Sequence, residues 1–203
     1  MSLEDEYQNR LKRLEELKSA GAPPYPNGMT VGQTAVELNS RFGEKTKEEL
    51  EGVREPFVLA GRVMLLRSFG KAAFWRIKDR TGIFQLFVEE KTLSPEAYRL
   101  SKLIDLGDIV WVKGILFRTK TNELTLKVEE LKLAAKALRP LPEKWHGLQD
   151  VETRYRQRYL DLISNDDVKE VFRKRSQIIQ TLREFLGKRN SVRKFLRTCR
   201  IKR

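Results

Sequence analysis

Phe74 stands among cations. In Ala73-Phe74-Trp75-Arg76-Ile77-Lys78, two-residue alternation puts Phe74, Arg76 and Lys78 on one face and Ala73, Trp75 and Ile77 on the other. The second set is a core. The first is an aromatic ring beside two positive charges. A following run turns Phe84, Leu86 and Val88 one way and Gln85 the other, with Ile83 and Phe87. A face carrying Phe74, Gln85 and nearby Arg and Lys suits single-stranded nucleic acid. Rings stack on bases, amides and guanidiniums reach base edges, and cations follow the phosphates. Lys71, Arg76 and Lys78 are the candidate phosphate contacts. The same pattern also fits a half-exposed aromatic on an ordinary barrel surface.

The elements that must hold these residues can be read around them. A long first strand spans 57–67, with Gly61 as a bend site that lets a small sheet close on itself. Ser68-Phe69-Gly70-Lys71 and Asp79-Arg80-Thr81-Gly82 separate it from a second and a third strand. Ser94 as N-cap and Pro95 at N1 open a helix to about residue 104. Strand four covers 108–118, and Thr119-Lys120-Thr121-Asn122 turns into strand five at 123–133. In strand five Leu124, Leu126 and Val128 point inward, and Glu123, Thr125, Lys127 and Glu129 outward. The order β-β-β-α-β-β is that of an OB-fold, a barrel whose strand 2–3 face commonly binds oligonucleotides. An SH3-like barrel is the alternative, and the helix between strands three and four argues against it.

Helices flank this barrel. Tyr7, Leu11, Leu14 and Leu17 make residues 4–19 an amphipathic helix, expected to dock on the barrel. Pro23, Pro24 and Pro26 then give an extended linker. Two short helices are expected at 31–38, capped by Thr30, and at 45–51, capped by Glu44 or Thr46. Beyond Pro140 and Pro142, residues 151–163 read as one helix. Asn165-Asp166-Asp167 caps the next, with Val168, Phe172, Ile178 or Ile179, Leu182 and Phe185 at core spacing.

Charge is uneven along the 203 residues. Residues 1–52 carry 7 basic and 10 acidic side chains, residues 53–140 carry 17 and 10, and residues 141–203 carry 17 and 8. The last 17 residues hold 8 of those cations and no acid, so the net +13 is partly a property of the tail. The moderate excess in the β-rich middle is the better sign of a polyanionic partner. No apolar run approaches the ~20 residues of a membrane helix. An acidic start without an apolar segment and the lone Cys199 fit a cytoplasmic, reducing location. His146 has no Cys/His cluster near it, which argues against zinc, and no spaced nucleophile, which argues against a triad. Neither a G-x-x-x-x-G-K-[ST] loop nor a G-x-G-x-x-G run is present.

Several short motifs carry a family resemblance. They are Pro24-Tyr25-Pro26, Gly61-Arg62, Gly70-Lys71-Ala72-Ala73-Phe74, Gln85-Leu86, and Gly114 with Thr119-Lys120-Thr121-Asn122-Glu123-Leu124. Most specific is the tandem of Lys144-Trp145-His146-Gly147-Leu148 with Arg154-Tyr155-Arg156-Gln157-Arg158-Tyr159-Leu160-Asp161-Leu162-Ile163. From about residue 7 to 190 the chain resembles the N-terminal part of class II lysyl-tRNA synthetases. The resemblance implies a mainly β chain with flanking helices. It comprises a helical extension at 1–52, an OB-fold anticodon-binding domain at 53–140, and the start of a class II catalytic domain at 141–190. A divergent basic tail follows at 191–203, and the composition change there suggests truncation within the first class II motif. Phe74 matches the ring that stacks on the central anticodon uridine. Gln85 matches the amide that recognises that base, Arg67 a cation near it, and Glu123 an acid that accepts from base edges. Alternation had already turned Phe74, Gln85 and Glu123 outward. Arg67 shares parity with Leu65 and faces outward only if the strand bends.

The resemblance further implies a tRNA partner, a homodimer built on 168–190, and ATP and Mg²⁺ for the full-length enzyme. No motif for the ATP α-phosphate or the adenine is found in this sequence. The expectation is a fragment that binds lysine tRNA and is inactive in aminoacylation, with no catalytic, cofactor or metal residue in this chain. A stand-alone OB-fold single-strand binder and a dimerisation partner of a full-length synthetase are the rival readings.

Overall fold

The computed structural model describes residues 3–141 and 150–189. The expectations placed on Lys144–Leu148, on His146, on the 191–203 tail and on Cys199 lie outside the described residues. The chain divides into two compact units, Met1–Pro140 and Leu141–Arg203.

The first unit is a five-stranded OB-fold. Its strands are β1 (Phe57–Phe69), β2 (Ala72–Lys78), β3 (Ile83–Glu89), β4 (Ile109–Arg118) and β5 (Leu124–Ala135). They close into a ring in the order β1-β2-β3-β5-β4, with β4 paired back onto β1. All pairs are antiparallel except β3 with β5, which the chain joins by a crossover through α4 and β4. The inward residues supply the core: Phe57, Leu59, Val63, Trp75, Ile77, Phe84, Leu86, Val88, Val110, Val112, Leu126 and Val128 are all buried. Alternation in β2, β3 and β5 therefore has its cause in a barrel with a single apolar interior.

β1 runs two residues further than expected and takes Ser68 and Phe69 out of the turn. Residues Phe57–Arg62 pair with β4 and Arg62–Phe69 with β2. The register slips between Val63 and Leu65. That bulge reverses the parity of the strand. Before it Phe57, Leu59 and Val63 face inward. After it Leu66 pairs with inward Trp75, and Arg67 pairs with outward Phe74. The irregularity thus falls at Met64 and not at Gly61. Gly61 serves close approach instead, since a Cβ there would meet the Lys78 carbonyl oxygen at 3.0 Å. Gly114 is tighter still: a Cβ would lie 1.9 Å from the Lys127 oxygen, beside a second slip in the β4–β5 ladder.

Helices close the ends of the barrel. α1 (Leu3–Ser19) buries Leu14 and Leu17. Arg10 donates to the carbonyls of Leu106 and Ala137 at 2.9 and 3.0 Å, and Arg13 pairs with Asp105. Beneath them Lys136 Nζ is fully enclosed and donates to Asp105, to Asp108 and to the Leu103 carbonyl at 2.6, 2.7 and 2.8 Å. A buried ammonium is tolerable only with such partners. α2 (Ala35–Phe42) starts four residues later than expected. Thr34 and Glu37 form a capping box there, and the Ala35 amide donates to Asp79 Oδ2 at 2.7 Å. Upstream, Gln33 exchanges hydrogen bonds with Val58 on β1, which holds that stretch extended. α3 (Lys47–Glu51) takes Thr46 as its cap, and α4 (Pro95–Leu103) starts at Ser94 with proline at N1.

The second unit holds α5 (Val151–Arg156), α6 (Arg158–Ser164) and α7 (Asp166–Lys188). The single helix expected over 151–163 breaks at Gln157, whose φ and ψ of −113° and 54° are not helical. A local side-chain network centred on Asp161 accompanies the break. Asp161 is wholly buried and receives Arg154 Nε at 3.1 Å, Asn165 Nδ2 at 2.6 Å and the Arg158 guanidinium. Desolvation works to raise its pKa. The hydrogen bonds from Asn165 and Arg154 and the two guanidinium charges outweigh burial, so the net shift is downward.

Candidate nucleic-acid interface

The outer face of β1, β2 and β3 carries the residues singled out by type. Register sets them in two rows. Arg67 on β1, Phe74 on β2 and Phe87 on β3 are Cα partners in sequence, and Phe87 continues to Lys127 on β5. The second row runs Leu65, Arg76, Gln85, Thr125 and then Phe117 on β4. Gln85 therefore lies diagonally beside Phe74, about 7–8 Å away Cα to Cα, within reach of one stacked base.

The aromatic content is larger than alternation revealed. Phe69, Phe74, Phe87 and Phe117 form a continuous series with ring centroids 6.2, 5.0 and 5.8 Å apart. Phe87 and Phe117 are half-buried and buttress Phe74 from one side. Phe69, 62% exposed, stands against it on the other, edge to face at 74°. Its position was hidden in the sequence because the run around Gly70 read as a turn.

The polar groups are tied to one another. Gln85 Nε2 donates to Thr125 Oγ1 at 3.0 Å, and that hydroxyl donates to the Glu123 carbonyl oxygen at 3.1 Å. Thr125 has outward parity yet is completely buried, flanked by Gln85 and Phe117. Arg76 reaches Glu123 at 3.0 Å, Lys127 reaches Glu89 at 3.0 Å, and Lys71 reaches Glu90 at 2.9 Å. The hydrogen bond to Glu90, followed by its charge, holds the Lys71 ammonium above its ordinary pKa. Arg67 is exposed, with no ion pair among the described residues. Lys78 is half-buried, at the far end of β2 opposite Ile83, two face positions beyond Phe74.

Arg67, Phe74, Arg76, Gln85 and Glu123 thus come together on one patch. Lys71 borders it at the β1–β2 turn, and Lys78 lies along the strand away from it. Chemically, the patch offers a ring, an oriented amide, a carboxylate and an open guanidinium. Among the described residues no group of three or more His, Cys, Asp or Glu is placed to hold a metal ion, and no helix is long and apolar enough to cross a membrane.

Comparison with known proteins agrees with this fold. Residues 57–134 match the tRNA anti-codon family, described as an OB-fold nucleic acid binding domain. The barrel is therefore an OB-fold similar to nucleic acid binding domains of that class. Over 189 residues, 93% of its length, the chain is 46% identical to a lysine–tRNA ligase of Halalkalibacterium halodurans, of which it covers 38%. It is also 46% identical to lysine–tRNA ligases of an Anaeromyxobacter strain and of Moorella thermoacetica, over 89% of this chain and 35% of each relative. The chain is a relative of the lysine–tRNA ligases, and the resemblance expected from its motifs is upheld. It spans little more than a third of the length of these relatives.

Proposed function

We propose that this chain binds the anticodon loop of lysine tRNA through the outer face of β1–β3. The observation that supports it most is the patch of Phe74, Gln85, Arg67 and Glu123 on an OB-fold barrel in a relative of lysine–tRNA ligases. Phe74 stacks on one base of the loop. Gln85 reads the edge of that base, Glu123 accepts from a base edge nearby, and Arg67 supplies positive charge beside it. Lys71, Arg76 and Lys78 are the phosphate contacts of this reading. The ion pairs from Lys71 to Glu90 and from Arg76 to Glu123 make the first two weaker than their charge suggests.

In the same reading the complete enzyme activates lysine with ATP and Mg²⁺, charges tRNA in the cytoplasm, and works as a homodimer. ATP and Mg²⁺ are assigned no residue of this chain. The 203-residue chain alone is inactive in aminoacylation, and lysine-dependent ATP–pyrophosphate exchange by the purified protein would overturn that part.

The binding test is titration of the chain against an RNA stem-loop with a uridine-rich loop. Phe74→Ala should weaken binding about 5- to 150-fold, the equivalent of ~1–3 kcal/mol for one base–aromatic stack. Equal affinity of variant and wild type removes Phe74 from the site. Equal affinity of the wild type for unrelated loops would instead favour a general single-strand binder.

A further inference from the structure

Thr125 has no role toward a base in the proposed function, yet it is the residue that hydrogen-bonds the Gln85 amide. A glutamine amide has a donor end and an acceptor end, and distance alone does not distinguish them. Here the chain of hydrogen bonds does. The Thr125 hydroxyl has one proton, and the Glu123 carbonyl oxygen 3.1 Å away can only accept it. Thr125 Oγ1 must then receive a donor from Gln85 at 3.0 Å, which is Nε2. Thr125 is fully buried, so no water competes for either bond. The acceptor Oε1 is thereby the end of the amide left for a ligand, on a residue that shares the face of Phe74.

We propose that Thr125 is a positioning residue that makes this face selective for uridine over cytidine. The inference rests on the reading that Phe74 and Gln85 take a base. The two pyrimidines have the same ring and the same stacking surface, so Phe74 cannot separate them. They differ at N3, which carries a proton in uracil and a lone pair in cytosine. Such an Oε1 accepts from uracil N3–H and opposes the cytosine lone pair. A site built to hydrogen-bond one edge rejects the other because its polar group is left unpaired on burial. Without the threonine hydroxyl nothing holds the amide in that sense, and rotation by half a turn presents Nε2 to cytosine N3.

The experiment uses the full 203-residue chain and three RNA stem-loops differing at one loop position, which carries uridine, cytidine or 3-methyluridine. Wild type should prefer uridine over both others by roughly 5- to 100-fold, the range for a hydrogen bond left unmade. Thr125→Val keeps the side-chain shape and removes the hydroxyl. It should bind the uridine and cytidine loops within about 3-fold of each other, with stacking retained. Thr125→Ser should restore the preference. A merely structural role would lower affinity for every loop alike and leave the ratio unchanged. A folded Thr125→Val variant with the wild-type uridine preference overturns this inference alone. A wild-type chain that binds none of the loops overturns it together with the reading it rests on.

Discussion

A cation is worth to a nucleic-acid site only the charge that is not already spent. Arg76 is bound to Glu123 and Lys127 to Glu89 on the same face, whereas Arg67 is not paired among the described residues. Each phosphate neutralised in a single strand contributes about 0.7 to the slope of log K against log salt. Arg67→Ala should reduce that slope by about 0.7 and weaken binding most at low salt. Arg76→Ala should change it less, because the ion pair with Glu123 already neutralises much of the Arg76 charge. Titrations of the uridine-rich stem-loop over a salt series check this, and a larger slope change for Arg76→Ala would reverse the assignment. Sequence made Phe74 and Gln85 legible because each lies in a strand of unbroken alternation. Arg67 could not be derived that way: its orientation depends on the slip between Val63 and Leu65, and a bulge leaves no periodic signal. Thr125 was hidden for another reason. Its outward parity predicts exposure, yet between its cross-strand partners Gln85 and Phe117 it is fully buried.

At the scale of elements, the β2–β3 hairpin is set against α2 by one carboxylate. Asp79 Oδ1 accepts from the amides of Thr81 and Gly82 at 2.6 and 2.8 Å and from the Thr81 hydroxyl at 2.7 Å. Its Oδ2 accepts from the Ala35 amide at the positive end of α2. Burial works to raise its pKa, but these hydrogen bonds outweigh it, so the net displacement is downward. Its stabilising contribution is therefore fully present above the unfolded value near 4 and is lost as pH falls through the lower folded value. Asp79→Ala should cost about 1–3 kcal/mol at neutral pH, the range for charged hydrogen bonds and a lost helix cap. Asp79→Asn should flatten the acid limb of stability below about pH 5. Urea titrations at a series of pH values measure both, and parallel acid limbs for Asp79→Asn and wild type would count against the role. The five strands and α4 were legible because alternation and the Ser94-Pro95 start agree with the final packing. The start of α2 was not: the cap expected was Thr30, and the structure uses Thr34. Asp79, remote in sequence, favours the second.

Across the whole molecule the two units differ in what they bury. The barrel unit has an enclosed apolar core, whereas α7 has no buried residue along its 23 positions. At 1.5 Å per residue it is about 35 Å long. Val171, Ile178, Leu182 and Phe185 follow one another at spacings of seven, four and three, so they form one stripe, and each is at least half exposed. Arg175 follows Val171 by four and precedes Ile178 by three, so it interrupts the stripe at its N-terminal end, while Arg173, Arg183, Glu170 and Glu184 lie off it. A stripe of that length and composition loses free energy to water at about 25 cal/mol per Å² until something covers it. A second copy of α7 is the occupant in the homodimer reading, and it sets the last prediction. Light scattering at rising concentration should show the mass of the chain moving from monomer toward dimer. Leu182→Glu with Phe185→Glu should hold it at monomer, because two charges on the stripe cannot be buried unpaired. The same variant should bind the uridine-rich stem-loop with wild-type affinity, since the stacking face belongs to the other unit. A wild-type chain that stays monomeric at high concentration would show that a second α7 does not cover the stripe. Joint loss of association and RNA binding would show instead that the barrel depends on the paired state.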